Sequence, residues 1–353
     1  MQIRHMAYQV GSVSYTQAEL FEALGYVAGT KAEKIFSRSD IASRQLVLAP
    51  EELSQLVDPH FQNTIARERG FMLAYEAAER VLDTDPGGYM DAHDIDCVVV
   101  ATSSGMTMPS VSCRLLAALG LRPETVKYDL VGMGCMAAPT ALTLARDYLT
   151  AHPGSRVLVV CMELGSLDLL PAADGEGLER TVINSLFGDA AVAYVVDDSV
   201  EKGSVFPEVV DVRSLQKPGS LHAAGLRTYL EGNRKLELSS EIPELAVELA
   251  REAVIKFARK VAYEGQGGVI KHWALHPGGR AVIDGIQDAF GLDDETVAPG
   301  RRSLREHGNT GSVGCSISLL NLMAEHAPAR GDYGVMLALG PGLSLAALLL
   351  RWP

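Results

Sequence analysis

One succession of elements is written twice along this chain of 353 residues, and that repetition limits the folds open to it. In the first half a long amphipathic pattern, Phe61 to Leu82, precedes a continuous apolar run, Asp96 to Thr102, that stops at Ser103-Ser104-Gly105. A helix from Pro109 to Leu119 and a short strand from Val126 to Val131, read as buried, come next. A glycine turn then opens a second helix, and strands Arg156 to Met162 and Ala190 to Val196 close the half. The second half keeps this order. A helix over Ile242 to Lys260 leads to strand His272 to Leu275, which stops at His276-Pro277-Gly278-Gly279. A helix starts near Arg280, the polar turn His307-Gly308-Asn309-Thr310-Gly311 opens another that runs to about Ala324, and strands Tyr333 to Leu339 and Leu343 to Leu350 finish the chain. Helices alternating with apolar strands predict an α/β fold in two halves, residues 1–200 and 201–353, alike in pattern and not in residues.

The turn of the first half is Val131-Gly132-Met133-Gly134-Cys135-Met136. Behind it Ala138, Ala141, Leu142, Ala145, Tyr148 and Leu149 recur at helical spacing, so Cys135 stands on a tight turn at a helix N-terminus. Unpaired N–H groups and the positive end of the helix dipole favour a thiolate there. Alone, Cys135 fits a small buried thiol on a tight turn just as well. Asn309 holds the same place ahead of the second half's buried helix, and His276 follows the strand equivalent to the one that ends at Thr102. Ligands in α/β folds collect at carboxyl ends of strands and at helix N-termini. Halves packed about a pseudo-twofold therefore bring Cys135, His276 and Asn309 to one centre. Singly, His276 reads as a core or loop histidine and Asn309 as a turn former after glycine; their joint placement is what points to catalysis.

A net charge of −13 argues against nucleic acid as a partner, since phosphate backbones require a basic footprint. Against that acidity, Lys31, Lys34 and Arg38 stand at i, i+3 and i+7, one helical face suited to phosphates or to water. The five cysteines, 97, 113, 135, 161 and 315, form no CxxC pair and no metal spacing, which fits a reducing compartment. The N-terminus lacks a signal-peptide core, and the apolar run Val335 to Leu350 is broken by Gly340-Pro341-Gly342. A soluble, cytoplasmic protein without a membrane partner is expected.

Five motifs then carry a resemblance: Val131-Gly-Met-Gly-Cys135, Leu186-Phe187-Gly188-Asp189, Trp273-Ala-Leu-His276-Pro-Gly-Gly279, Gly308-Asn309 and Gly340-Pro341-Gly342. In order and interval the chain resembles the type III polyketide synthases, the chalcone-synthase-like branch of the thiolase fold. That resemblance implies two α/β/α/β/α halves with the active site between them. It implies Cys135 as acyl-carrying nucleophile, His276 and Asn309 as its catalytic companions, and Phe187 as the aromatic gatekeeper. It places Lys31, Lys34 and Arg38 on the coenzyme A phosphates, and makes Ser103, Gly165, Asp168, Leu236, Gly278, Ala281 and Gly311 pocket residues. Met108 corresponds to the residue that reaches across a homodimer into the neighbouring cavity. Substrates are then an acyl-CoA starter and malonyl-CoA, with no resident cofactor.

The chain departs from the family at pocket positions. Leu236 replaces a second gatekeeping phenylalanine, Asp168, Gly165 and Ser103 stand where plant members mostly carry threonines, and Gly311 stands where many carry serine. Ala138-Pro139 replaces a Gly-Gly pair. The segment Thr181 to Asp189 and the Met-Gly-Cys elbow lean towards bacterial members, including dihydroxyphenylacetyl-CoA synthase. The resemblance further implies a thiolate at Cys135 stabilised by an imidazolium at His276, and a malonyl enolate made by loss of CO2. Condensation by proton abstraction needs a second cysteine near the last glycine turn, and Ala338-Leu339-Gly340 has none. Two other readings stand beside this one: a single-round ketoacyl-carrier-protein synthase III, against which His276-Pro-Gly-Gly counts, and a catalytically silent dimer partner.

Overall fold

The computed structural model describes residues 1–83, 91–105, 107–172, 177–228, 234–263 and 269–353, with backbone alone at 226–228 and 234–237. The first half runs β1 (Gln2–Val10), β2 (Val13–Thr16), α1 (Gln17–Ala23), α2 (Lys31–Ser37), β3 (Ser43–Leu46), α3 (Pro59–Ile65) and α4 (Phe71–Asp83). It continues through β4 (Cys97–Thr102), α5 (Val111–Ala118), β5 (Val126–Val131), α6 (Ala137–Ala151), β6 (Arg156–Leu164), α7 (Leu178–Leu186) and β7 (Asp189–Asp197). The second half runs β8 (Glu208–Gln216), β9 (Ala224–Thr228), β10 (Arg234–Leu238), α8 (Ile242–Tyr263), β11 (Ile270–Leu275) and α9 (Arg280–Phe290). It ends with α10 (Asp294–His307), α11 (Gly314–His326), β12 (Tyr333–Gly340) and β13 (Ser344–Arg351).

Among the described residues, nine strands form one sheet in the order β11-β12-β13-β8-β1-β7-β6-β4-β5. Outward from its middle, both arms pair in the same senses. β1/β7 and β7/β6 are antiparallel and β6/β4 is parallel; β8/β13 and β13/β12 are antiparallel and β12/β11 is parallel. The arms join through a single register pair, Gln2 with Glu208. β4 and β11 are therefore counterparts, as are α6, which leads into β6, and α11, which leads into β12.

Strand residues alternate between two cores, as a pleated strand buried on both faces requires. Cys97, Val99 and Ala101 of β4 and Met336 and Ala338 of β12 face a central core with α6 and α11. Val98 and Val100 face the outer layer of α4 and α5, and Val335 and Leu337 face that of α8, α9 and α10. α6 touches strands of both arms, so the central helices lie between them. These are the α/β/α/β/α layers that the resemblance implies.

Most elements stand where the sequence puts them, and α1 starts at a capping box of Thr16 and Glu19. Four readings change. β5 is mostly exposed, because it is the outermost strand and pairs only with β4. The long helix predicted over Phe61 to Leu82 is α3 and α4 joined by a π turn, Ala66–Gly70. Helix α5 starts only at Val111, with Pro109 ahead of its cap Ser110. The sequence, which leaves residues 163–189 without an element, gives no sign of α7 (Leu178–Leu186).

Candidate active site

Cys135 follows β5 in a three-residue 3-10 turn, Gly134–Met136, before α6 begins. The elbow is fixed from below: the Gly134 N–H donates to Ser103 Oγ at 2.9 Å. Ser103 comes from the end of β4, and its own N–H donates to the Glu163 carboxylate at 3.1 Å. Gly134 has φ +53, and a Cβ there would stand 2.6 Å from Pro341 Cδ. The closing turn Gly340-Pro341-Gly342 of the second half thus abuts the cysteine elbow.

His276 follows β11 as predicted from its counterpart β4, and its N–H donates to Leu337 O at 2.9 Å. The ring is buried, and Nδ1 has no hydrogen-bond partner among the described residues. That leaves Nε2 as the ring nitrogen available to the cavity. Asn309 is held by both ends of its amide. Its Nδ2 donates to Gly278 O at 3.2 Å, and its Oδ1 accepts from the Gly311 N–H at 3.0 Å. One N–H of the amide stays free for a ligand. Asn309 also joins Phe187 in an isolated parallel bridge: its N–H donates to Leu186 O at 2.8 Å, and the Gly188 N–H donates to Asn309 O at 3.1 Å.

Cys135, His276, Asn309 and Phe187 open on one cavity of about 570 Å³ between the two arms. Ser103, Gly165, Asp168, Gly278 and Gly311 line it too, as expected. Ala281 does not; it is exposed on α9, and its neighbour Val282 faces the cavity instead, one helical position round. Leu236 lies in β10 opposite Leu226, and its side chain is outside the described residues. Met108 is 98% exposed and away from this chain's cavity. Lys31 and Lys34 project from α2 and Arg38 caps its end, all three in solvent, while Ala32 and Phe36 bury the opposite face.

The electrostatics of the resting site correct one expectation. Burial pushes the Cys135 thiol up to about 12, with the Glu163 carboxylate and Cys315 adding to the rise. Burial likewise lowers His276 to about 4. Each group by itself is neutral at pH 7. Both line the same cavity, and in a medium of low dielectric a thiolate and an imidazolium there would stabilise each other.

Glu163 was missed in the sequence. It is buried at the end of β6 and accepts from Ser104 Oγ at 2.9 Å and, from the second half, Ser312 Oγ at 2.8 Å. A lone acid closing an apolar strand at its carboxyl end was the available signal. Gly311 has φ +56, and a Cβ there would come within 2.8 Å of Glu163 Cγ, so the Glu163 stem occupies the space a side chain would need. Ser312, one position on, makes the contact instead.

Two family models match in tandem. Chalcone and stilbene synthases, N-terminal domain, covers residues 27–199, and the C-terminal domain of the same family covers residues 221–352. This chain belongs to the chalcone and stilbene synthase family. It is a type III polyketide synthase and an acyltransferase, and the family's substrates are acyl-CoA and malonyl-CoA thioesters. Among relatives, the 3,5-dihydroxyphenylacetyl-CoA synthase of Amycolatopsis balhimycina is 31% identical over 97% of this chain and 91% of its own length. The bisdemethoxycurcumin synthase of Oryza sativa subsp. japonica is 35% identical over 79% of this chain and 70% of its own. The 1,3,6,8-tetrahydroxynaphthalene synthase of Streptomyces coelicolor A3(2), a bacterial type III polyketide synthase of known structure, superposes with a TM-score of 0.89. It covers 100% of this chain and 99% of its own at 22% identity, so it speaks for the thiolase fold of this synthase alone.

Proposed function

We propose that this polyketide synthase loads an acyl-CoA starter on Cys135 and lengthens it by repeated decarboxylative condensation with malonyl-CoA. One observation supports this most: Cys135 from one half and His276 and Asn309 from the other open on a single cavity, large enough for a drug-sized ligand. The thiol gives its proton to His276, and the sulfur attacks the starter thioester carbon and expels coenzyme A thiolate, which takes up the proton. With the His276 ring proton moved from Nδ1 to Nε2, malonyl-CoA then binds with its thioester oxygen accepting hydrogen bonds from His276 Nε2–H and the free N–H of Asn309. Its C–C bond to the carboxylate breaks, CO2 leaves, and the electron pair becomes an enolate held by those donors. The enolate carbon attacks the Cys135 thioester, the cysteine sulfur departs, and the longer chain returns to it from coenzyme A. Phe187 walls the cavity and keeps water from the carboxylate while it is lost.

Outside the cavity, Lys31, Lys34 and Arg38 grip the phosphates of the thioester substrates. The chain acts as a homodimer through the open edge of β5, where Tyr128 and Val131 are 39% and 49% exposed, with Met108 reaching to the other copy. The substrates are the coenzyme A thioesters themselves, with no resident cofactor.

Mass spectrometry of the protein with malonyl-CoA, alone and with a panel of acyl-CoAs, tests this. The expected result is an acyl adduct on Cys135 and a polyketide product, both absent in Cys135→Ala. An adduct without product would favour single-round condensation with a carrier protein, and no adduct would favour a silent subunit.

A further inference from the structure

Beside the site, and unused by this chemistry, lies the guanidinium of Arg44 on β3. It is fully buried, with no ion-pair partner within reach among the described residues. Burial lowers it to about 9, and Asp189, through space, opposes the fall. A charge in that setting is costly unless every donor is placed. Its donors go to the turn that carries Phe187: Nη1 to Phe187 O at 2.9 Å and Nη2 to Asn184 O at 2.8 Å. Nε and Nη2 both reach Gln17 Oε1, at 3.2 and 2.6 Å. Gln17 in turn donates to Ser185 O at 2.9 Å and to Ser39 Oγ at 2.6 Å.

The stem of Arg44 runs beneath the two glycines that flank the bridge between the arms. A Cβ at Gly188 would lie 3.4 Å from Arg44 Cβ, and one at Gly308 would lie 3.1 Å from Arg44 Cδ. Phe187 and Asn309 are thus joined by two backbone bonds, and the Arg44 side chain packs against Gly188 and Gly308, the glycines next to them in the chain. We infer that Arg44, itself held by Gln17, is the positioning residue that fixes Phe187 and Asn309 against each other across the two halves of the molecule. It touches no substrate, and its effect is on where the Asn309 amide and the Phe187 ring stand when CO2 leaves. The fork is essential to this, since a lysine supplies one point of donation where three directions are filled. The inference rests on the roles proposed above for those two residues.

Arg44→Lys and Gln17→Ala test it, the second at a half-buried position where water can replace the lost amide. The expected result is a fall of about 100-fold in kcat for malonyl-CoA decarboxylation in Arg44→Lys, the size of effect that about 1 Å of misplacement causes. KM should stay nearly constant and acylation of Cys135 should change far less, because its elbow is held by Ser103 and Glu163. Gln17→Ala should show the same split more weakly, because it removes the acceptor of two guanidinium bonds and leaves those to Phe187 O and Asn184 O in place. Hydrogen exchange supplies the second readout. Amides of Gly188 and Asn309 should exchange faster in both variants while that of Gly134 does not. Unchanged kcat and unchanged exchange in folded Gln17→Ala would overturn the inference, as would exchange rising through the whole core, which marks mere structural loss. Should the wild type fail to decarboxylate malonyl-CoA, the proposed function falls, and local exchange at residues 188 and 309 still decides whether Arg44 positions them.

Discussion

A backbone angle at one residue aims the nucleophile. Gly134 holds φ +53 with Pro341 against it, so Gly134→Ala meets a left-handed penalty of about 1–2 kcal/mol and a clash besides. The expected outcome is a lower urea midpoint and slower alkylation of Cys135 by iodoacetamide than the stability loss alone explains. At pH 7 the thiolate of Cys135 depends on a proton acceptor, because burial and Glu163 hold the thiol up. In His276→Gln alkylation should therefore slow by about 10-fold or more, the cost of losing one paired base; equal rates would show the two groups to act independently. Cys135, His276 and Asn309 were legible because each stands at a turn whose glycines announce it. Glu163 and Arg44 were not, since a single charge says nothing of its partner, and Ser312 and Phe187 lie 149 and 143 positions away.

Elements carry predictions of their own. α2 buries one face and offers Lys34 and, at its end, Arg38 to solvent. Lys34→Ala with Arg38→Ala should raise KM for malonyl-CoA several-fold at low salt, less at high salt, and leave kcat near its value. β11 is tied to the turn before β12 by Asp332, which accepts from Lys271 Nζ at 2.5 Å and pairs with His272 Nε2 at 3.0 Å. Burial alone would raise this carboxyl, but those bonds and the Ala329 N–H outweigh it and hold it at about 2, against 3.8 when free. A depressed carboxyl contributes stability above its free value and loses it as pH falls from about 4 to about 2. Asp332→Asn should then cost about 2 kcal/mol at pH 7, with the gap to wild type closing in that window. Strands and helices with a clean pattern were readable, α6 and β6 among them. α10 was not, because Pro299 and Gly300 break its pattern and only packing against β11 and α11 accommodates them. β5 was misread as buried because apolar content cannot say which strand ends up at an edge.

At the scale of the molecule that edge predicts the assembly. Light scattering should find the proposed homodimer in the wild type and a monomer in Tyr128→Arg, at the middle of β5; a dimer in both would move the interface elsewhere. The doubled pattern made the layered fold legible, while the seam between the arms was not, since a lone pair between Gln2 and Glu208 leaves no mark in either strand. That narrow seam has a consequence for how the chain is made. The apolar stripe of α6, from Ala138 to Leu149, is covered in part by β12 and β13, which leave the ribosome some 190 residues later. Until they arrive, the first half has its outer core complete and its inner face bare, so translation itself passes through a stage with a sticky surface and no chain yet made to close it.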